Sequence, residues 1–326
     1  MIDKGLQKPI SRKEFLKKSS LVAVSLPCFS LLQSCQGKMT RDSGQDEEMK
    51  RKYVDHMGLQ LYTVRKILDN DPGGVIRKIS ELGYKEIEVH RPQRFSTEVP
   101  LIKDHGMEVV GCHIPSPYIT GRWEDFKGMG NDIPENIHFE KIIDDSIKHG
   151  IKCLGVPILF PYESQSLDAY RHFADLANQA GELCGEAGIR FFYHNHSFEF
   201  EPKEGTTPMD VLAQQLDPAL VSLELDVFWA AISGNDPVVF MEKYPDLVKL
   251  LHLKDLQAGR PVDFKTFGMD EEAFEAVGDG YLDFRSILQT AHDIGVDHTF
   301  VEQDHSQIDE LESIGRSIEH LREIGL

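Results

Sequence analysis

Ala187-Gly188-Ile189-Arg190-Phe191-Phe192-Tyr193 decides the fold of this chain. The glycine stands where an amphipathic stretch over 167–187 runs out, and a glycine just past a helix end supplies the left-handed residue that closes it. The apolar, aromatic run behind it reads as a strand buried on both faces. The same junction recurs at Leu82-Gly83-Tyr84, His105-Gly106-Met107, His149-Gly150-Ile151 and Ile294-Gly295-Val296. Repeated αβ junctions predict a parallel sheet. Adding 57–62, 221–226 and 248–252 brings the expected strands to eight, with helices expected over 74–82, 98–105, 134–149, 167–187, 209–216, 237–244, 282–294 and 308–324. Eight alternations predict a single (β/α)8 TIM barrel of the α/β class. An open doubly wound sheet would carry a glycine-rich dinucleotide turn after its first strand, and Leu61-Tyr-Thr-Val-Arg65 has no glycine.

Ahead of the barrel, residues 1–34 read as an export signal. Lys4, Lys8, Arg12, Lys13, Lys17 and Lys18 precede an apolar run, Leu21 to Leu32, that is too short for an ordinary transmembrane helix. Ser11-Arg-Lys-Glu-Phe-Leu-Lys17 resembles a twin-arginine motif with Lys13 in place of the second arginine. Leu32-Gln-Ser-Cys35 resembles a bacterial lipobox, which makes Cys35 the expected lipidation site. The expected product is an exported, periplasmic lipoprotein that meets the membrane only through this anchor. Residues 35–52, polar and charged, read as a flexible tether, and 53–326 as the barrel domain.

Removing the six basic and two acidic residues of 1–34 takes the formal net charge from −19 to about −23. Such a surface repels nucleic acid and anionic lipid, so neither is an expected partner. Cys112, Cys153 and Cys184 have no zinc-finger spacing, and Cys112 and Cys153 sit inside strand-like runs as buried thiols.

Four segments end in a metal-liking residue as a buried strand runs out: Phe191 to Glu199, Val221 to Asp226, Val248 to His252 and Thr299 to Glu302. In a parallel barrel all strand C-termini open on one face, so Glu199, Asp226, His252 and Glu302 are expected to converge on one divalent cation. Three carboxylates and an imidazole suit Mn²⁺, Mg²⁺, Co²⁺ or Zn²⁺. Period-two alternation turns Lys254 the same way as His252, Asp304 as Glu302, and Glu224 as Asp226. It leaves His194 and His196 on the parity opposite to Glu199, with His196 kept as a neighbour of the site. Gln60, His90 and His113 close the first three strands and are expected to grip substrate hydroxyls, with Trp229 as a sugar-stacking wall. The longer connections 114–133 and 256–280 follow strand C-termini and are expected to overhang the site.

His194-Asn-His-Ser-Phe-Glu199, Leu225-Asp-Val-Phe-Trp229, Leu251-His-Leu-Lys-Asp255 and Phe300-Val-Glu-Gln-Asp304 together resemble the sugar isomerase/epimerase superfamily with a xylose isomerase-like TIM barrel. That superfamily also holds ketose 3-epimerases, inosose dehydratases and endonuclease IV. The resemblance spans Met57 to the C-terminus, includes Gly278-Asp-Gly-Tyr-Leu-Asp-Phe284, and maps Glu199, Asp226, His252 and Glu302 onto the metal ligands. Endonuclease IV carries a histidine three residues past the Asp226 position, where this chain has Trp229. With the acidic surface, this argues against DNA repair.

A divalent cation held there would acidify the proton α to a sugar carbonyl. Glu199 and Glu302 would then act as ligands and acid/base groups, and Lys254 would donate to the oxyanion. The leading expectation is an isomerase or epimerase of an unphosphorylated sugar or keto-sugar. A 3-keto-glycoside lyase or hydratase, or a polyol dehydratase, stands second, and a lipid-anchored sugar-binding protein without turnover third. The expected partner is a small carbohydrate, with homo-oligomer formation left open.

Overall fold

Eight parallel strands hydrogen-bond in chain order into a closed barrel in the computed structural model, which describes residues 50–134 and 137–324. They are β1 (Gly58–Gln60), β2 (Glu86–Val89), β3 (Glu108–His113), β4 (Cys153–Val156), β5 (Arg190–His194), β6 (Val221–Asp226), β7 (Val248–Leu253) and β8 (His298–Val301), with β8 closing on β1. The described residues belong to one compact unit. The signal, lipobox and Cys35 expectations lie outside the described residues.

The crossover helices are α1 (Pro72–Leu82), α2 (Phe95–Asp104), α3 (Phe139–His149), α4 (Leu167–Glu186), α5 (Pro208–Gln215), α6 (Pro237–Lys243), α7 (Phe284–Ile294) and α8 (Glu310–Glu323). Gly83, Gly150 and Gly295 end their helices in the left-handed conformation, as the recurring junction implied. Helix starts are fixed by side chains that accept from the exposed first turn: Asp71 from Gly74 N, Ser166 from Ala169 N, and Asp283 from Ser286 N.

Inside the barrel, Val110, Cys153, Phe192, Leu250 and Phe300 form an apolar plug. Gly155 makes room for it, because a Cβ there would lie 2.2 Å from the Phe192 ring. The plug fills the lower barrel, so polar side chains from the next positions along the strands are lifted toward the C-terminal mouth.

Two buried carboxylates brace the loops around that mouth. Asp255, just beyond β7, accepts from the backbone N–H groups of Leu256, Gly278, Gly280 and Leu282 at 2.8–3.2 Å, tying the 278–282 segment to the strand end. Glu163 accepts from Ser116 Oγ at 2.6 Å, Thr120 Oγ1 at 2.5 Å and Phe160 N at 3.0 Å, joining the loops that follow β3 and β4.

Candidate metal centre

Phe192 points into the plug, and alternation along β5 therefore brings His194 inward two residues later. Its neighbours are set by register: His194 lies beside Glu224 on β6, and Asp226 beside His252 on β7. Glu302 follows β8 directly. One donor atom from each of His194, Asp226, His252 and Glu302 lies within 4.8 Å of the others, all buried.

Three of the four expected ligands meet, and Glu199 does not join them. β5 stops at His194, and Glu199 lies in a short 3-10 turn, Phe198–Phe200, where extended alternation no longer applies. Its carboxylate turns back to accept from the Tyr193 hydroxyl and, at 2.9 Å, from His196 N. Burial raises its pKa to about 7. The ligand and acid/base roles expected of Glu199 are therefore not supported by its position, and His194 stands in the ring instead.

Each imidazole of the ring shows one nitrogen upward and one downward. His252 Nδ1 is 2.9 Å from Glu302 Oε2, while its Nε2 is 2.8 Å from Glu88 Oε2 and 3.3 Å from Glu224 Oε2. His194 Nε2 is 3.9 Å from Asp226 Oδ2, and its Nδ1 is 3.3 Å from Glu224 Oε2. A lower layer of Glu88, Glu224 and His113 thus orients the His252 ring, as ligating histidines require of a carboxylate behind them, and lies close behind His194, whose Nδ1 makes no hydrogen bond. His113 Nε2 lies 2.9 Å from Glu224 and 3.2 Å from Glu88.

Gln60 belongs to this lower layer and does not face the cavity. Its Nε2 donates to Glu88 at 2.6 Å, and its Oε1 accepts from Tyr62 N, so its expected grip on substrate is not supported. Gly111 leaves space for Glu88, since a Cβ there would stand 2.5 Å from the carboxylate. Glu88 and Glu224 are close enough that both do not ionise readily. Burial and Glu224 raise the pKa of Glu88. Burial also opposes ionisation of Glu224, but His252, His113 and His194 outweigh it and hold that group well below its ordinary value.

The upper ring suits a divalent ion. Burial and the neighbouring His252 lower the pKa of His194 to about 3, so its ring is neutral and can give a lone pair. Burial would lower His252, but Glu224 and Glu302 outweigh it and favour a proton that a cation on Nδ1 would replace. Asp226 spends Oδ1 on Trp229 N at 3.0 Å, and its Oδ2 faces both the centre and Lys254 Nζ, 3.0 Å away. Two imidazole nitrogens and two carboxylates form a borderline-to-hard set that could hold a divalent ion.

Lys254 borders the ring. Its Nζ lies 2.8 Å from Glu302 Oε2, 3.0 Å from Asp226 Oδ2 and 2.5 Å from Asp304 Oδ2, and 5.3 Å over the Trp229 ring.

A cavity of about 670 Å³ opens above, with His90, His113, His196 and Trp229 in its wall beside His194 and Glu302. His90 Nδ1, His196 Nδ1 and Trp229 Nε1 are buried without a hydrogen-bond partner. Burial, with nearby positive charge, lowers His90 to about 3, and burial with His194 and Lys254 takes His196 well below its ordinary value. Both rings are neutral. The lining residues include no Arg or Lys.

Sequence reasoning misses His194, Glu88 and Glu224 as site residues. Counting inward from the plug residue Phe192 finds His194, whereas counting back from Glu199 crosses the turn and loses it. Glu88 is signalled by its place two residues before His90, and Glu224 by its parity with Asp226.

The xylose isomerase-like TIM barrel family matches residues 76–324, and the chain belongs to it. A solved sugar phosphate isomerase/epimerase from Parabacteroides distasonis ATCC 8503 is 26% identical, with a TM-score of 0.65, covering 83% of this chain and 94% of that one. The inosose dehydratase of Geobacillus kaustophilus (strain HTA426) is 27% identical over 232 residues, 66% of this chain and 73% of the relative. That of Clostridium beijerinckii (strain ATCC 51743 / NCIMB 8052) is 30% identical over 128 residues, 37% and 42% of the two chains, so this chain spans less than half the length of that relative.

Proposed function

We propose that the protein is a divalent-metal-dependent enzyme that removes a proton α to the carbonyl of an unphosphorylated keto-sugar or cyclic polyol ketone, with loss of a β-oxygen as the outcome. The observation that carries this reading is the ring of His194, Asp226, His252 and Glu302, of which His194 and Glu302 line the cavity. A divalent cation bound there would polarise the carbonyl and stabilise the enediolate charge.

The chain's own groups supply the rest. Glu302 is ionised, because Lys254 and His252 outweigh its burial, and as a ring carboxylate that lines the cavity it is placed to take the proton. Lys254 donates to the oxygen that gains charge. The neutral rings of His90 and His196 each offer one donor and one acceptor, which matches a hydroxyl. Among the described residues the wall has no Arg or Lys, and Lys254 beside the ring is already paired with Asp226, Glu302 and Asp304, so no free counter-charge faces a phosphate ester, which supports an unphosphorylated substrate.

Elimination is favoured over epimerisation by the position of Glu199. Inversion needs acid/base groups on both faces of the sugar, and the expected pair was Glu199 with Glu302. A single carboxylate suffices for dehydration: the C–H and C–O bonds break, a C=C bond forms, and the proton taken by Glu302 leaves with the departing hydroxyl as water. The relatives named inosose dehydratase support the same outcome. Isomerisation or epimerisation is the second reading, supported by the name of the Parabacteroides neighbour.

In D₂O, the metal-loaded protein is expected to label the α-carbon of an inosose or 3-keto-glucoside, or convert it with loss of water or aglycone, as read by mass spectrometry. No exchange and no loss across such a panel would overturn the proposal. The N-terminal reading belongs with it: Cys35→Ala is expected to move the protein from the membrane fraction to the soluble periplasm, and unchanged fractionation would contradict the lipid anchor.

A further inference from the structure

The cavity has two zones of different chemistry. Its floor presents His194 and Glu302 of the ring, the imidazoles of His90 and His196, and Asp304. The loops above present mostly carbon, with Phe126 and Phe160 from the segments after β3 and β4 and Phe267 and Met269 from the segment after β7, interrupted by Asn131, Thr266 and Glu271. A volume of about 670 Å³ is within the range of about 300–1,000 Å³ that encloses drug-sized molecules, larger than a lone six-carbon ring needs.

A free sugar is polar on every edge. Against the faces of Phe126, Phe160, Phe267 and Met269 its hydroxyls would leave water without gaining partners, at a cost of roughly 1–3 kcal/mol for each buried group. The upper zone therefore does not match the sugar that the floor matches.

The wall after β3 and β4 is built before any ligand arrives. Trp123, Phe126, Phe160 and Tyr162 form a continuous aromatic series with ring centroids 5.5–5.9 Å apart. The Glu163 clasp fixes the backbone from which Ser116, Thr120 and Phe160 project. Phe267, on the other wall, is 54% exposed, an aromatic ring at the mouth that the fold leaves partly uncovered.

We propose that the substrate is a two-part molecule, a sugar joined to a planar apolar group, and that the upper zone is the subsite for that second part, an aryl ring being its simplest form. This rests on the reading above that the sugar's reacting end lies over the ring of ligands. Rigid aromatic walls reward a flat ring through offset or edge-to-face packing in addition to area. One ligand with a polar head and a flat apolar tail fits both zones of a single cavity.

Binding tests this without turnover. Calorimetric titration of the full, metal-loaded chain with 4-nitrophenyl glucosides and with methyl glucosides, both anomers of each, is expected to show at least one aryl glucoside binding about tenfold more tightly than its methyl counterpart. Phe160→Ala and the exposed-site Phe267→Ala are each expected to shrink that preference while leaving methyl glucoside affinity within about twofold, a control against misfolding. Equal affinities, no binding of either aryl glucoside, or a preference untouched by both substitutions would overturn the subsite. Aryl preference in a protein that exchanges no α-proton would uphold the subsite and sink the reaction. Exchange on free keto-sugars without aryl preference would do the reverse.

Discussion

Glu199 and Glu302 are both buried and both stand beyond the end of a barrel strand, yet they lie in different chemistry. Glu302 is the first residue after β8, still on the line of the extended chain, and its carboxylate meets His252 and Lys254. Glu199 comes after a 3-10 turn has begun, and its carboxylate meets a tyrosine hydroxyl and one backbone N–H. Burial and a strand-end address do not make a ligand. What separates the two is whether strand alternation still governs the backbone at that residue.

The largest effect on this comparison should come from the imidazole that Glu302 has and Glu199 lacks. His252 lies between Glu302 on one side and Glu88 and Glu224 on the other. His252→Ala leaves buried carboxylates without their shared cation and is expected to destabilise the fold by about 3–5 kcal/mol in urea unfolding of the metal-free protein. A loss below about 1 kcal/mol would mean that the carboxylates are satisfied without it.

Glu199 gives a pH signature of its own. Its pKa rises to about 7 through burial, so the stability tied to its protonated form is present below the ordinary carboxylate value and is lost as pH rises through 7. Above pH 7 the buried charge costs about 3 kcal/mol relative to the neutral form. Glu199→Gln is therefore expected to be more stable than the parent at pH 8 and nearly equal at pH 4, by thermal unfolding at both pH values. A Glu199→Gln protein less stable than the parent at pH 8 would place the Glu199 carboxylate in contact with a cation after all.

A smaller effect is expected one layer below the ring. Glu224 lies outside the upper ring but forms a second close cluster of possible ligands with His113, His194 and His252. Glu224→Gln should weaken metal binding about 10–100-fold while the ring still fills at high metal, in competition with a chromophoric chelator. Complete loss of binding would promote Glu224 to a ligand, and no change would remove the lower layer from the site.

The barrel was legible because its signals are local. Each helix end carries its own glycine, and each strand its own apolar run, so errors in one junction do not spread to the next. Asp226, His252 and Glu302 were legible for the same reason, since each terminates or directly follows a strand. His194 and Glu199 exchanged places because the parity count ran through a turn. Gln60 looked like a wall residue because it ends β1, but the first strand closes the barrel beside Glu88, and its amide is drawn to that carboxylate. Glu88 and Glu224 carry strand alternation in the sequence; what is not written there is that a plug of Phe192 and Phe300 lifts them to the height at which they reach the two histidines.

The central claim is the identity of the fourth ligand, and metal content tests it most directly. Purified parent, His194→Ala and Glu199→Gln proteins, dialysed against the same zinc and manganese buffers, would be compared by elemental analysis, with circular dichroism to confirm folding. The account predicts about one metal per chain in the parent and in Glu199→Gln, and a large loss in His194→Ala. Metal retained without His194 and lost without Glu199 would contradict it.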